Sequence, residues 1–277
     1  MSTPYSCQWY FKREEIEKTP SIQDGTPFEK ELIERAKGCN FIVSVGRSLQ
    51  LPQLTLATAT TFLHRFFMRQ SLKDYHYYDI GATCLFVATK VEETLRKLKD
   101  LIVVCVQKAQ KNDKLLVEED SKEFKRWRDM ILYNEEIVME TICFDLAIEH
   151  PYVSLLRFTR ELKGSKPLAQ TAWAFLNDSL RTTLCVTYRP HIVAAAALYI
   201  ASKYLDEKLG DPVEGKPWWE VVDASIQDIQ DASSQILDQY QQLPVLPQFR
   251  LVPKTHSPIT ESNFYTSKKK LTNVYAN

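Results

Sequence analysis

An internal repeat constrains the fold of this chain more strongly than any other feature of its sequence. Residues 59–90 align with residues 172–203 without a gap, at an offset of about 113 residues. The aligned identities fall mostly at apolar helix positions: Ala59, Phe62, Leu63, Tyr75, Ala82, Leu85, Ala88 and Lys90 match Ala172, Phe175, Leu176, Tyr188, Ala195, Leu198, Ala201 and Lys203. Because the two segments preserve one helix–turn–helix spacing, the repeat predicts two copies of a single helical unit.

Helical periodicity runs through both copies, and no alternation typical of a strand extends for any length. Glycine is scarce, with 7 in 277 residues. The charged residues 111–123 and the turn-forming residues 206–217 are predicted to be loops. The pattern predicts an all-α fold of two tandem five-helix units, with helices at 28–49, 53–71, 79–94, 98–110 and 124–146, and then at 153–162, 167–184, 189–205, 218–222 and 225–243.

The third helix of each unit is predicted to lie at its centre. Small residues occupy this helix in both copies: Gly81, Ala82 and Ala88 in the first, and Ala194 to Ala197 in the second. Small side chains allow neighbouring helices to approach closely, so the other helices of each unit are expected to pack around this one.

Composition and charge exclude several classes of protein. Lysine plus arginine and aspartate plus glutamate number 35 each, so no global positive field drives non-specific binding to nucleic acid or membrane. The six cysteines form no CxxC pair, which favours a reduced intracellular protein without disulfides or structural zinc. The N-terminus lacks a secretory signal pattern, and the longest apolar run, at 192–201, is too short to span a bilayer. HExxH, GxGxxG and P-loop motifs are absent, so we expect no metal and no other cofactor.

The third helix of the first unit ends in charge, in the stretch FVATKVEET (86–94). Lys90 follows small or apolar residues, and Glu92 and Glu93 come directly after it. The helix macrodipole favours a cation at this end, and a carboxylate from a neighbouring helix can hold the lysine while its other protons reach a partner. These charges are either a solvated rim or a binding feature. Lys203, at the equivalent position of the second copy, shows that a lysine here is compatible with a structural role alone.

The chain resembles a cyclin, because it combines two five-helix units with an apolar third helix that ends in A-x-K-x-E-E. The resemblance is to the transcriptional cyclins of the T and K types and their fungal counterparts, it covers about residues 9–243, and it is carried by FLHRFF (62–67), LFVATKVEET (85–94), RKLKDLI (96–102), NEEIVMETICFDLAIEHPY (134–152) and LNDSLRTT (176–183). It implies an N-terminal segment over 1–27, in which WYF (9–11) packs a short extra helix on the first box. It further implies cyclin boxes over 28–148 and 149–243 and a flexible tail over 244–277.

The resemblance also implies a function. A cyclin of this type is the regulatory subunit of a P-TEFb-like or CTD-kinase complex: it forms a heterodimer with a cyclin-dependent kinase of the transcription-elongation type and activates it. The complex phosphorylates the C-terminal domain of RNA polymerase II in the nucleus. The cyclin has no catalytic residues of its own, and neither membrane binding nor direct nucleic-acid binding is expected. The kinase-contacting residues that the resemblance implies are Lys90, paired with Glu135, together with Glu93 and Phe144.

Two other classes of protein provide alternatives. A general transcription factor of the TFIIB type shares the tandem cyclin fold and binds promoter DNA. It predicts an N-terminal zinc ribbon and a basic second repeat, whereas Cys7 and Cys39 are the only cysteines before or within the first predicted helix. A helical enzyme such as a terpenoid synthase predicts a DDxxD metal motif, which the sequence lacks.

Overall fold

The computed structural model describes residues 8–210 and 216–242. No β-sheet occurs in these ranges, which confirms the predicted all-α class. A 3-10 helix, Thr183–Val186, lies between the ninth and tenth α-helices. The α-helices of the described residues are α1 (Arg13–Ile16), α2 (Pro20–Gln23), α3 (Phe28–Ser48), α4 (Gln53–Phe67), α5 (Tyr77–Val91), α6 (Leu98–Ala109), α7 (Lys122–Thr141), α8 (Pro151–Glu161), α9 (Lys166–Ser179), α10 (Pro190–Leu205), α11 (Trp218–Val221) and α12 (Ile226–Gln242).

The sequence repeat corresponds to a repeat of structure. The offset of 113 residues maps the first residue of α4 onto that of α9, and the first residue of α5 onto that of α10. Helix α5 packs against α3, α4, α6 and α7, and α10 packs against α8, α9 and α12. Ala194 to Ala197 in α10 are completely buried, as expected for a helix that neighbours approach on several sides. Helices α5 and α10, which the sequence predicts to be the third helix of each unit, are therefore the centres of the two units.

The helices form two compact units. Of the described residues, the first unit contains those up to His150 together with Leu180–Arg189, and the second contains Pro151–Ser179 and those from Pro190 onward. The sequence predicts one helix over 167–184, but α9 ends at Ser179. The Thr182 hydroxyl accepts a hydrogen bond from the Leu184 N–H and so caps the 3-10 helix, which packs on α4 in the first unit. The flexible tail predicted over 244–277 lies outside the described residues.

The N-terminal segment contains two short helices, α1 and α2, where the sequence predicts one. Trp9 is almost completely buried in the core of the first unit. The Phe11 N–H donates to the Val186 carbonyl at 2.8 Å, and Ile16 packs in a small cluster with Met68 and Val186. The segment is therefore an integral part of the first unit.

A buried ion pair joins the N-terminal segment to α3 and α4. The Arg35 guanidinium donates to Glu31 Oε1 from Nε at 2.8 Å and from Nη2 at 2.6 Å. It also donates to the carbonyls of His64 and Phe67, at 3.1 and 2.6 Å. The Thr19 hydroxyl donates to the other oxygen of Glu31 at 2.5 Å. The Phe67 carbonyl at the end of α4 thus finds a donor on α3, and the His64 carbonyl, which also accepts from the Met68 N–H at 3.2 Å, gains a second donor.

His64 is a buried, neutral histidine in the first unit. Its Nε2 lies 3.1 Å from the Leu180 carbonyl oxygen and 3.3 Å from Cys39 Sγ. Burial, and next the charge of Arg35, lower the pKa of His64 from 6.5 to about 3. The neutral ring therefore places its proton on Nε2, where it donates to the Leu180 carbonyl.

The stability of the protein is expected to fall on acidification in a way that depends on His64. The unfolded chain takes up a proton near pH 6.5, whereas the folded chain keeps the ring neutral down to about pH 3. Between these values this one group lowers the free energy of unfolding by about 1.4 kcal/mol for each unit that the pH drops. Urea unfolding of wild type and His64→Gln at pH 7.5, 6.5, 5.5 and 4.5 measures the effect, since glutamine retains an N–H donor without titrating. Parallel stability curves for the two proteins would contradict the assignment.

No helix within residues 8–210 and 216–242 has both the length and the apolar character that crossing a membrane requires.

Candidate functional site

The helices that carry the predicted site, α5 and α7, both begin at a side-chain cap. His76 Nδ1 accepts a hydrogen bond from the Tyr78 N–H at 3.2 Å, and Ser121 Oγ accepts one from the Phe124 N–H at the same distance. Each cap satisfies an N–H that has no partner within its helix and fixes where the helix starts. The caps thereby set the register in which α5 delivers Lys90 and α7 delivers Glu135.

Lys90 and Glu135 form an ion pair between these helices. The distance from Lys90 Nζ to Glu135 Oε1 is 2.5 Å, and the exposed fractions of the two side chains are 43% and 17%. Glu135 follows the buried Asn134 on α7, so it lies at the edge of the core-facing stripe. The Lys90 ammonium also lies 4.1 Å from the centroid of the Phe86 ring. One carboxylate oxygen engages one of the three ammonium protons, and the exposed face of the lysine remains open to a partner.

The second unit repeats the lysine but, in its described residues, not the carboxylate partner. Lys203 in α10 lies 5.5 Å from the Tyr199 ring centroid, and these residues occupy the positions equivalent to Lys90 and Phe86. Among the described residues, Lys203 has no ion pair. The contact of lysine with an aromatic ring is therefore common to both copies, and the pairing with Glu135 is specific to the first.

The two glutamates after Lys90 have different environments. Glu92 Oε1 accepts a hydrogen bond from the Thr58 hydroxyl at 2.6 Å, and that hydroxyl also lies 2.8 Å from His150 Nε2. Glu93 is exposed, and its carboxylate makes no hydrogen bond or ion pair within the part of the chain that the structure describes. Glu92 therefore holds the end of α5 to α4, and Glu93 is the carboxylate available to a partner.

Glu93 owes its exposure to the way in which α5 ends. Its φ of +53° is in the left-handed region, and the Thr94 N–H donates to the Thr89 carbonyl at 2.9 Å. This is the hydrogen bond of a Schellman cap. Glu93 occupies the position of that cap where glycine is most common, because glycine has no Cβ. A glutamate here is unfavourable for the backbone, and other helices of the described residues also end at non-glycine residues with positive φ, such as Gln50 and Lys111.

Phe144 is presented by a stronger departure from helical geometry. The sequence predicts a helix over 124–146, but α7 ends at Thr141, because Cys143 and Phe144 have φ values of +57° and +53°. These are the only two consecutive non-glycine residues with positive φ in the described ranges. The turn leaves 61% of Phe144 exposed. An aromatic ring with this exposure is available to fill a pocket on another protein.

The predicted site residues thus fall into a pair and two separate side chains. The structure brings Lys90 and Glu135 into direct contact. Among the described residues, no hydrogen bond or ion pair links Glu93 or Phe144 to that pair. All four residues belong to the first unit.

Sequence reasoning missed a polar cluster beside Phe144. The Trp9 indole N–H donates to Asp145 Oδ2 at 2.8 Å, and Arg65 Nη1 donates to the Asp145 carbonyl at 3.0 Å. Arg69 donates to the Thr141 carbonyl at 3.1 Å. The signals in the sequence are the early tryptophan and the acidic residue directly after Phe144, but only the fold brings them together across more than 130 positions.

No group of three histidine, cysteine or acidic residues suited to a metal occurs within the described ranges. Burial raises the pKa of the Cys39, Cys84 and Cys105 thiols, so these side chains stay protonated and pack as small apolar groups.

Two known protein families match this chain, one in each half. Residues 6–147 match the family described as "Cyclin, N-terminal domain", and residues 150–238 match "Cyclin-T2-like, C-terminal domain". The chain is 44% identical to Cyclin pch1 of Schizosaccharomyces pombe over 240 residues, covering 86% of this chain and 70% of that protein. It is 40% identical to Cyclin-T1-3 of Oryza sativa subsp. japonica over 246 residues, covering 87% of this chain and 50% of that protein. It is 39% identical to Cyclin-K of Homo sapiens over 250 residues, covering 84% and 41%.

Solved structures share the fold. A chain of the yeast RNA Pol II CTD kinase CTDK-1 complex superposes with a TM-score of 0.75 at 19% identity, covering 95% of this chain and 83% of that chain. A chain of the yeast TFIIK (Kin28/Ccl1/Tfb3) complex superposes with a TM-score of 0.62 at 22% identity, covering 85% and 98%. These likenesses confirm the tandem cyclin-box fold, and the sequence matches extend over most of both boxes. The chain therefore belongs to the cyclin family, among the transcriptional cyclins of the T and K types.

Proposed function

We propose that this chain is the regulatory subunit of a cyclin-dependent kinase of the transcription-elongation type, and that the heterodimer phosphorylates the C-terminal domain of RNA polymerase II in the nucleus. Cyclins are kinase regulatory subunits. The observation that carries the proposal for this chain is the Lys90–Glu135 pair, which is preorganised by two capped helices and still exposed on one side. The relatives of the T and K types support the choice of kinase class.

Activation follows from binding one state of the kinase more tightly than the other. A kinase is active when its β3 lysine pairs with the glutamate of its αC helix and its activation loop is in place. A rigid helical face that fits αC in that position shifts the population toward the active state by its difference in affinity. The kinase binds ATP and Mg²⁺ and contributes the catalytic aspartate, and the cyclin contributes the helical surface that fits αC.

Each site residue has a distinct part in this face. Lys90 donates its free protons to carbonyl oxygens of the kinase, while Glu135 fixes the direction of the ammonium group. Glu93 offers an acceptor that has no hydrogen-bond or ion-pair partner in the described part of the chain, and Phe144 provides the apolar anchor, since its ring is more than half exposed.

The test is a reconstituted kinase assay. The chain is combined with a candidate elongation kinase, and phosphorylation of a heptad-repeat polymerase peptide is measured with and without it. We expect activity to depend on the chain and to rise by about 100-fold, the equivalent of roughly 3 kcal/mol of preference for the active state. If the chain stimulates none of the elongation kinases but binds promoter DNA, the TFIIB-type alternative replaces the proposal.

A further inference from the structure

The turn that presents Phe144 is unfavourable on its own. Residues with a Cβ seldom adopt the left-handed region, and here Cys143 and Phe144 do so in succession. Within the turn, the Phe144 N–H bonds to the Met139 carbonyl at 2.8 Å and the Asp145 N–H to the Ile142 carbonyl at 3.1 Å. A conformation of this kind persists when the surroundings hold it in place.

Two arginines from the end of α4 hold both sides of the turn. Arg69 donates to the Thr141 carbonyl and to Cys143 Sγ, which fixes the side that enters from α7. Arg65 donates to the Asp145 carbonyl at 3.0 Å, and its Nη1 lies 3.8 Å from Asp145 Oδ2, which fixes the side that leaves. Phe144 lies between the two anchored points.

Trp9 links these arginines to each other and to the turn. The guanidinium carbons of Arg65 and Arg69 lie 4.8 and 4.3 Å from a Trp9 ring centroid, within the range of a cation–π contact. The indole N–H donates to Asp145 Oδ2 at 2.8 Å. Only 1% of Trp9 is exposed, so it cannot itself reach a partner protein.

We infer that Trp9, Arg65, Arg69 and Asp145 are positioning residues, a cluster that presets the exposed Phe144 ring for kinase binding. The inference rests on the proposed function, and it assigns the N-terminal segment a part in affinity beyond its part in the fold. A side chain held in its bound geometry loses less conformational entropy on association. The cluster therefore acts on the kinase through Phe144 alone.

A double-mutant cycle tests this dependence. Trp9→Phe keeps an aromatic ring beneath the arginines and removes the indole N–H that holds Asp145. Kinase affinity is measured for wild type, Trp9→Phe, Phe144→Ala and the double variant. We expect Trp9→Phe to weaken binding by about tenfold when Phe144 is present and by less than about twofold when it is absent.

Matched variants separate positioning from general loss of stability. Trp127 is a second buried tryptophan of the first unit that stacks on Phe41, so Trp127→Phe removes an indole from the same core without touching the turn. It is expected to lower the melting temperature while leaving kinase affinity within about twofold. Asp145→Asn weakens the cluster from the other side and is expected to reproduce the Trp9→Phe pattern, including when Trp9→Phe itself folds poorly.

The outcomes distinguish this inference from the proposed function. If Lys90→Ala and Phe144→Ala weaken binding but the Trp9→Phe and Asp145→Asn effects are absent, or equal in both backgrounds, the positioning role is overturned and the function stands. If Lys90→Ala and Phe144→Ala both leave kinase affinity unchanged, the proposed function fails and the inference fails with it.

Discussion

Replacing Lys90 with alanine is expected to weaken kinase binding by about 2–4 kcal/mol, which corresponds to roughly 30- to 1,000-fold in affinity. In the proposed complex, the substitution removes the donors that would meet the kinase and leaves the Glu135 carboxylate at the interface without its cation, so desolvation on binding becomes costly. Kinase affinity by titration calorimetry, together with peptide phosphorylation at limiting cyclin, measures the loss.

The repeat provides the matched control for this prediction. Lys203→Ala removes the equivalent lysine, which has the same kind of aromatic contact but no carboxylate partner among the described residues. It is expected to leave kinase binding unchanged. Both variants are expected to stay folded, because the exposed Lys90 ion pair contributes about 0–1 kcal/mol to stability and Lys203 has no ion pair among the described residues. If Lys90→Ala, like Lys203→Ala, left kinase affinity unchanged, Lys90 would be a solvated helix end.

Replacing Glu31 with alanine is expected to destabilise the protein by about 3–5 kcal/mol, a large fraction of the stability of a typical domain. Glu31 and Arg35 are 2% and 1% exposed, so the substitution leaves a guanidinium buried without its counter-charge. It also removes the acceptor of the Thr19 hydroxyl, and with it one connection between the N-terminal segment and α3. Denaturant-induced unfolding measures the change in free energy.

Glu34→Ala is the control for this second prediction. Glu34 lies on the same helix and pairs with Lys30 at 3.9 Å, but that lysine is 63% exposed. Its loss is expected to change the unfolding free energy by no more than about 0.5 kcal/mol. A Glu31→Ala protein that unfolds within about 1 kcal/mol of wild type would mean that Arg35 is neutralised or solvated in a way the structure does not show.

The repeat allowed most of the helical architecture to be predicted from the sequence. Its offset fixes where α9 and α10 begin once α4 and α5 are placed, and the small residues of α5 and α10 mark the centres of the two units. Period and spacing are local properties, so they can be read without knowledge of the tertiary fold.

Features that depend on distant contacts were not predictable in the same way. The α7 pattern continues past Thr141 in sequence, and the helix stops there because Cys143 and Phe144 turn left-handed while two arginines hold the flanking carbonyls. The partner of Lys90 lies 45 positions away in the sequence. Glu135 was therefore predicted from the resemblance to cyclins and not from helical periodicity. Trp9 and Asp145 are visible in the sequence as an early tryptophan and an acidic residue after Phe144, but no local pattern indicates that the two side chains meet.

The most direct test of the central claim is to identify the surface that the kinase covers. Hydrogen exchange of the chain, alone and with an elongation kinase, resolves this without any substitution. We predict slower exchange at residues 86–95 and 132–146, which carry Lys90, Glu93, Glu135 and Phe144, and no change at residues 190–205, which carry Lys203. Protection confined to residues 190–205, with the first unit exchanging as in the free chain, would contradict this prediction.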